Sequence, residues 1–214
     1  MLFHLSEVAL GGVRLLSVNC VDKMLTNPTD LGSPFVNVKT RTYLEMRSPD
    51  QLRGSKPAPN PLTLTRILID QRDLMISVYE RVGSNYNWPP VPKWIENAEL
   101  PNRHIHLIMQ NENIAGMAKH VIHEDGTVEI SVFGLVPDFK GRGYGGEALV
   151  KTVERAWELQ NTTKVPGYVW LHTASRDDPH AVPNYLARGF KISRVETRDM
   201  ETDEILSVET PSES

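Results

Sequence analysis

FKGRGYGGEALVKTVERAW, residues 139–157, is the stretch of this chain whose residue types and spacing point most directly to chemistry. Gly141, Gly143, Gly145 and Gly146 crowd the front of an apolar, helix-periodic run, with Lys140 and Arg142 set among them. Glycines at this density leave successive backbone N–H groups open, and the positive end of the following helix points the same way. The segment therefore predicts a cradle for a pyrophosphate. The spacing of Gly141, Gly143 and Gly146 also meets the G-x-G-x-x-G fingerprint of a dinucleotide site. That fingerprint needs the glycines directly after the first strand of a parallel βαβ unit, and a carboxylate about 20 residues on for the ribose. Here Pro137 and Asp138 separate the glycines from the strand before them, and the next strand, YVWLHTAS, supplies no such carboxylate.

The elements that must position this loop follow from local pattern. RTYLEM (41–46) alternates as a strand does, and the proline-punctuated RSPDQLRGSKPAPNP (47–61) excludes a helix. Within residues 62–82, Ile67, Leu74, Ile76, Val78 and Val82 predict an amphipathic helix in the later half, and a short helix is expected between residue 92 or 93 and Pro101. RHIHLIMQ (103–110), IAGMAKHVIH (114–123) and TVEISVFGLV (127–136) read as strands joined by NEN and EDG turns, which predicts an antiparallel meander. A helix over about 143–160, a strand over 167–174, a short helix over 178–189 ending at Gly189, and a strand over 190–197 complete the series. The core is expected to span residues 40–208, behind an extension of residues 1–39 without clear period and ahead of a tail at 209–214.

The whole chain sets bounds on this reading. Its 214 residues, 40% of them hydrophobic, suit one domain, since a chain of roughly 150–250 residues buries most of its apolar surface. A net charge of −4 gives no basic footprint, which argues against a nucleic-acid partner and mildly for a cationic or amine substrate. The single cysteine, Cys20, excludes an internal disulfide and a cysteine-based structural zinc site, as suits a reducing cytosol. The opening stretch is interrupted by Glu7 and Arg14 and lacks a basic start, so a secretory signal is not expected, and no run approaches the ~18 apolar residues of a membrane span. A cytoplasmic protein without membrane contact is the expectation. The seven histidines show neither H-x-x-x-H nor H-E-x-x-H spacing, so no metal site is expected.

LVPDFKGRGYGGEAL resembles the acyl-CoA signature of the GNAT superfamily of N-acetyltransferases, with Leu135, Pro137, Phe139, Lys140, Gly141, Gly143 and Gly145 in the signature places in order. Lys140 stands where arginine or glutamine is usual. DDPHAVPNYLARGFKI is similar to a later motif of that superfamily through Asp178, Ala181, Tyr185, Gly189 and Phe190, with Asp178 where asparagine is common. The resemblance covers about residues 103–197 and extends over 40–102 in outline. It implies an α/β fold of α+β type, a mixed, mostly antiparallel central sheet flanked by helices, with acetyl-CoA as cosubstrate. The implied CoA contacts are Phe133, Leu135, Lys140, Gly141, Arg142, Gly143, Tyr144, Gly145 and Asp178. Gly134, inside a β-branched and aromatic strand, marks a bulge or a close approach, and in the family a bulge there opens the sheet for pantetheine to add as an extra strand.

Acyl transfer from a thioester to an amine demands a neutral amine, donors for the developing oxyanion and a proton for the departing thiolate. Glu129 matches the position of the general base in the histone-acetylating branch of the superfamily. Tyr185 is the candidate acid, since a phenol of pKa ~10 can protonate a thiolate whose thiol has pKa ~8.5. His172, at the end of a buried strand, is a substrate contact, a second base or an ordinary core histidine. Tyr79 and Trp88, with Tyr86 and Trp94, lend the acceptor pocket an aromatic character. The reading is an N-acetyltransferase, monomeric or homodimeric, moving an acetyl group from acetyl-CoA to a primary amine of a small molecule by direct attack in a ternary complex. Two alternatives stay open: acetylation of a protein lysine or N-terminus, and a non-catalytic acyl-CoA sensor of the same fold.

Overall fold

The meander expected over residues 103–136 forms as three strands in tight succession. In the computed structural model, which describes residues 37–86, 88, 95–96 and 98–211, these are β3 (Arg103–Gln110), β4 (Asn113–Ile122) and β5 (Val128–Leu135). Asn111, at φ 53°, turns the first connection, a left-handed angle that asparagine tolerates. Gly126, at φ 81°, turns the second, where Asp125 accepts from the Thr127 N–H and hydroxyl. Before them lie β1 (Val38–Met46), β2 (Thr63–Ile67) and α1 (Arg72–Gly83). After them come α2 (Gly145–Gln160), β6 (Val169–Ala174), α3 (Ala181–Ala187), β7 (Lys191–Asp199) and β8 (Ile205–Glu209). The eight strands make one sheet in the order β2-β3-β4-β5-β6-β1-β7-β8. All neighbours are antiparallel except β5 and β6, which run parallel.

Strand alternation sorts the side chains onto two faces. Ile105 and Leu107 of β3 face α1 and pack with its Met75, Val78, Tyr79 and Val82, together with Met117 and Val132. On the other face Ile108, Ala115 and Leu135 meet Tyr144 and Ala148, while Val128, Ile130, Leu44 and Leu171 meet Leu149, Val153 and Ala156 of α2. Each fully buried leucine of this kind contributes about 1.5–3 kcal/mol relative to exposure. His104 and His106 share the α2 side of the sheet with His120, whose Nε2 lies 3.0 Å from the Thr152 carbonyl oxygen of α2.

Three sequence expectations change in detail. The first half of residues 62–82 is strand β2, and a 3-10 turn at Ile69–Gln71 leads into α1, because β-branched Thr63, Thr65 and Ile67 favour a pleated edge. The buried stripe of α1 is Met75, Val78, Tyr79 and Val82, with Leu74 and Ile76 at its margins. β8 was not anticipated; its residues are all exposed, so no alternation of burial marks it. The short helix expected between residues 92 and 101, together with Trp94, Cys20, nearly all of the 1–39 extension and the last three residues, falls largely or wholly outside the described residues.

The largest departure from a local reading is β1. It sits inside the sheet, hydrogen-bonded to β6 on one side and β7 on the other. Its Tyr43 donates to Glu196 Oε2 at 3.0 Å across 153 residues of chain. Among the described residues no helix is long and apolar enough to cross a membrane, and no cluster of His, Cys, Asp and Glu is arranged to hold a metal ion.

Candidate active site

The site begins where two strands part. β5 and β6 pair only over Val128–Ile130 and Val169–Leu171, then diverge. β4 gives β5 an extra residue at this point, since Lys119 pairs with Val132 and His120 with Ile130, leaving Ser131 as the bulge. The bulge therefore lies at Ser131 and not at Gly134, which pairs in register with Met117. Gly134 serves the other purpose, a close approach: a Cβ there would overlap Val82 Cγ1, so its lack of a side chain lets α1 lie against the open end of β5. The gap between the strands widens into a pocket of about 760 Å³.

One side of the pocket is backbone-rich. Phe133, Gly134 and Leu135 line it from β5, and Lys140, Gly141, Gly145 and Gly146 from the loop and the start of α2. Gly141 and Gly143 hold φ of 68° and 84°. A Cβ on Gly141 would meet nothing within 4 Å and one on Gly143 only Pro59 Cδ at 3.7 Å, so these two glycines answer to the backbone angle rather than to space. Tyr144, the N-cap of α2, caps no amide with its side chain, so the first-turn N–H groups lack that partner. An anion is the natural partner for such an end. Gly146 is a spatial requirement, because a Cβ would lie 2.9 Å from both Arg188 Nη1 and Ser55 Cβ.

The remaining loop residues take specific places. Lys140 Nζ turns toward the end of α1, donating to Tyr86 Oη at 3.0 Å and Val82 O at 3.4 Å, and burial lowers its pKa. A helix C-terminus attracts an ammonium group, so this charge is directed away from the α2 amides. Arg142 donates to the Asp138 carbonyl at 2.9 Å. Tyr144 is buried against Phe139 with ring centroids 5.1 Å apart and accepts from Asn60 Nδ2 at 3.2 Å. Arg142, Gly143 and Tyr144 thus shape the loop without lining the pocket. Asp178 lines it, but its Oδ2 accepts from Tyr86 Oη at 2.7 Å and its Oδ1 from the His180 N–H at 2.9 Å.

The opposite side is aromatic and charged. Tyr79 and Trp88 line the pocket with ring centroids 5.1 Å apart. Gly83 makes room for the indole, since a Cβ there would be 2.7 Å from Trp88 Cβ. Trp88 Nε1 donates to Asp177 Oδ1 at 3.2 Å, while Asp177 Oδ2 accepts from Thr173 Oγ1 and the Ala174 N–H, each at 2.8 Å. Tyr185 lies in the pocket wall, 7% exposed, with its ring near Phe133 and Phe190. Burial, reinforced by Asp177 and Asp178, raises its pKa, so the phenol keeps its proton.

His172 occupies the fork. It is the first residue of β6 beyond the paired segment, and it lines the pocket. Burial lowers its pKa, Glu129 opposes that, and Arg41 adds to it, so the imidazole is neutral near pH ~7. Glu129 is absent from the pocket wall. Its Oε2 is 3.2 Å from His123 Nε2 and its Oε1 is 3.8 Å from His172 Nδ1, so it stands behind the imidazole. That separation exceeds a hydrogen bond, and His172 Nδ1 has no hydrogen-bond partner.

Sequence reasoning missed Asp177, Arg41, Tyr86's bonded role and Arg188. The neighbour of Asp178 in RDDPH was visible as a second carboxylate beside the motif. Nothing local singled out Arg41 or Arg188, whose proximity to the pocket and to the α2 start comes from distant chain segments.

Residues 69–190 match the model of the Acetyltransferase (GNAT) family. No curated protein matches the chain at a significant level. Similar solved structures include a GCN5-related N-acetyltransferase from Sphaerobacter thermophilus, 14% identical, covering 74% of this chain and 50% of that one with a TM-score of 0.55. Another, a GCN5-related N-acetyltransferase from Kribbella flavida, is 18% identical and covers 72% of this chain and 54% of its own, with a TM-score of 0.51. The chain spans about half the length of either, and at these identities the likeness is one of fold.

Proposed function

Because the chain belongs to the GNAT acetyltransferase family, we propose that it transfers an acetyl group from acetyl-CoA to a primary amine of a small molecule, by direct attack with both substrates bound. The observation that carries this reading is the fork: a parallel strand pair that separates at Ile130 and Leu171, with a neutral histidine at the branch and a helix start without a side-chain cap beside it. The residues fit acetyl-CoA, since the amides behind Gly141 and Gly143 suit a pyrophosphate and the parted edge of β5 suits an extended amide arm. Acetyl-CoA supplies the activated thioester.

The chain's own residues manage protons and position. His172, kept neutral by burial, accepts the proton that the amine sheds as its nitrogen bonds to the acetyl carbon. Glu129, behind it, favours the imidazolium that results. As the carbon–sulfur bond breaks, Tyr185 provides the proton that turns the thiolate into free thiol. Glu129 therefore serves as a positioning carboxylate and His172 as the group in contact with the acceptor. Asp177 fixes Trp88 and the end of β6, which keeps the acceptor wall in place. We further propose that residues 40–208 form the catalytic domain, in the cytoplasm.

The test is calorimetric titration with acetyl-CoA, with NADH as control, followed by release of free thiol in the presence of amines. Binding of acetyl-CoA alone, with amine-dependent thiol release, is expected. Absence of acetyl-CoA binding by folded protein would remove the reading. Binding without turnover of any amine, peptides included, would leave a sensor in place of an enzyme.

A further inference from the structure

β1 precedes the residues that match the family model, yet it is an interior strand and delivers one charged side chain to the pocket, Arg41. The register places Tyr43 opposite His172 and Arg41 opposite Ala174. Arg41 therefore shares a face with His172, one pair further along the open end of β6. Its charge is felt at the imidazole, where it opposes protonation.

Two arginines near it are consumed elsewhere, while Arg41 and Arg176 both line the pocket. Arg194 and Arg198 bond to Glu196 at 2.9 and 2.7 Å, and Arg194 also lies 3.6 Å above the Tyr43 ring. Among the described residues the carboxylate paired with Arg41 is Asp203, at 3.7 Å from Nη2, beyond hydrogen-bonding distance. Asp203 is itself held by Lys39 at 2.7 Å and by Arg198 at 3.3 Å. The Arg41 side chain is 27% exposed, so it is partly desolvated and still reachable from the pocket. Asp177 and Asp178 are the pocket's fixed anions, and Asp177, which accepts three hydrogen bonds, is within electrostatic reach of His172.

We propose that the acceptor is an amine that carries a carboxylate, of the α-amino-acid class, and that Arg41 selects it by pairing with that carboxylate while the amine faces His172. The inference rests on the acetyl-transfer reading above. A planar guanidinium binds a carboxylate through two parallel N–H donors, which a neutral amide or a simple amine does not satisfy. Asp177 in the same pocket suits a zwitterion and disfavours a doubly charged phosphate. The wall formed by Tyr79 and Trp88 favours an apolar or aromatic side chain.

The test measures thiol release from acetyl-CoA with a panel of L-amino acids, each set against the amide and the decarboxylated amine of the same side chain. Wild type, Arg41→Gln and Arg41→Lys are compared, with thermal melting as a check on folding. The acids are expected to lead in kcat/KM by about 10- to 100-fold, the scale of a hydrogen bond to a charged group. Arg41→Gln should raise KM for the acid and bring the acid-to-amide ratio close to unity, and Arg41→Lys should recover part of it. The proposal is overturned if amides or simple amines match the acids in wild type, if protein that binds acetyl-CoA turns over no amino acid, or if Arg41→Gln keeps the preference. Should Arg41→Gln not fold, the wild-type panel and Arg41→Lys still decide. Failure to bind acetyl-CoA refutes the acetyl-transfer reading itself, and this proposal falls with it.

Discussion

Replacing His106 by leucine should flatten the acid sensitivity of the fold by a calculable amount. His106 and His120 lie between the sheet and α2 with ring centroids 5.4 Å apart, 3% and 0% exposed, and neither Nδ1 has a hydrogen-bond partner. Burial lowers their pKa values from 6.5 to about 3 and about 4, helped at His106 by His120, Arg155 and His104 and at His120 by His104 and Arg155. A histidine held neutral in the fold takes up its proton first in the unfolded chain. Its contribution is therefore full above the unfolded pKa of 6.5 and is lost as pH falls toward the folded value. A pH of ~5 lies about 1.5 units below the unfolded pKa and above both folded values, so protonation there favours the unfolded state by about 2 kcal/mol per histidine. Buried carboxylates such as Glu196 also weaken the fold in acid, so the wild-type slope alone does not isolate the effect. The difference between proteins does. Urea unfolding at about pH 7.5 and about pH 5 should show His106→Leu losing about 2 kcal/mol less than wild type between the two. An equal loss in both proteins would mean that His106 charges as readily inside as outside, and the burial argument would be wrong.

Three further substitutions probe the site. Gly134→Ala should cost about 1–3 kcal/mol by overpacking against Val82, and Val82→Ala in the same chain should recover part of it, measured by thermal or urea unfolding. Independent, additive losses would mean that α1 does not rest on β5 as described. Tyr185→Phe should lower turnover about 10²-fold while acetyl-CoA affinity stays within about twofold. An unchanged rate would take Tyr185 out of the proton path. Gly143→Ala, at φ 84°, should strain the loop by about 1–2 kcal/mol and weaken acetyl-CoA binding about tenfold in calorimetry, with wild-type affinity arguing against a phosphate role for the loop.

Most of what is local was legible in the order of the residues. The three-strand meander, its asparagine and glycine turns, the helix behind the glycine loop and strands β6 and β7 followed from period and turn chemistry within windows of a few residues. The glycines of the loop were legible for the same reason, because a left-handed φ leaves its mark on residue type. Relations between distant segments were not. β1 enters the sheet between β6 and β7, so Arg41 reaches a pocket built around residues 130–185. No local pattern in RTYLEM encodes that neighbour. Glu129 and His172 each looked like a candidate base, and only the parallel pairing of their strands sets one behind the other. Lys140 and Asp178, named as cofactor contacts from the sequence, both line the pocket, and what no local pattern announced is that Tyr86 bonds to each of them. Side-chain identity travels with the sequence; the direction a charged group turns is settled by whichever partner the fold brings nearest.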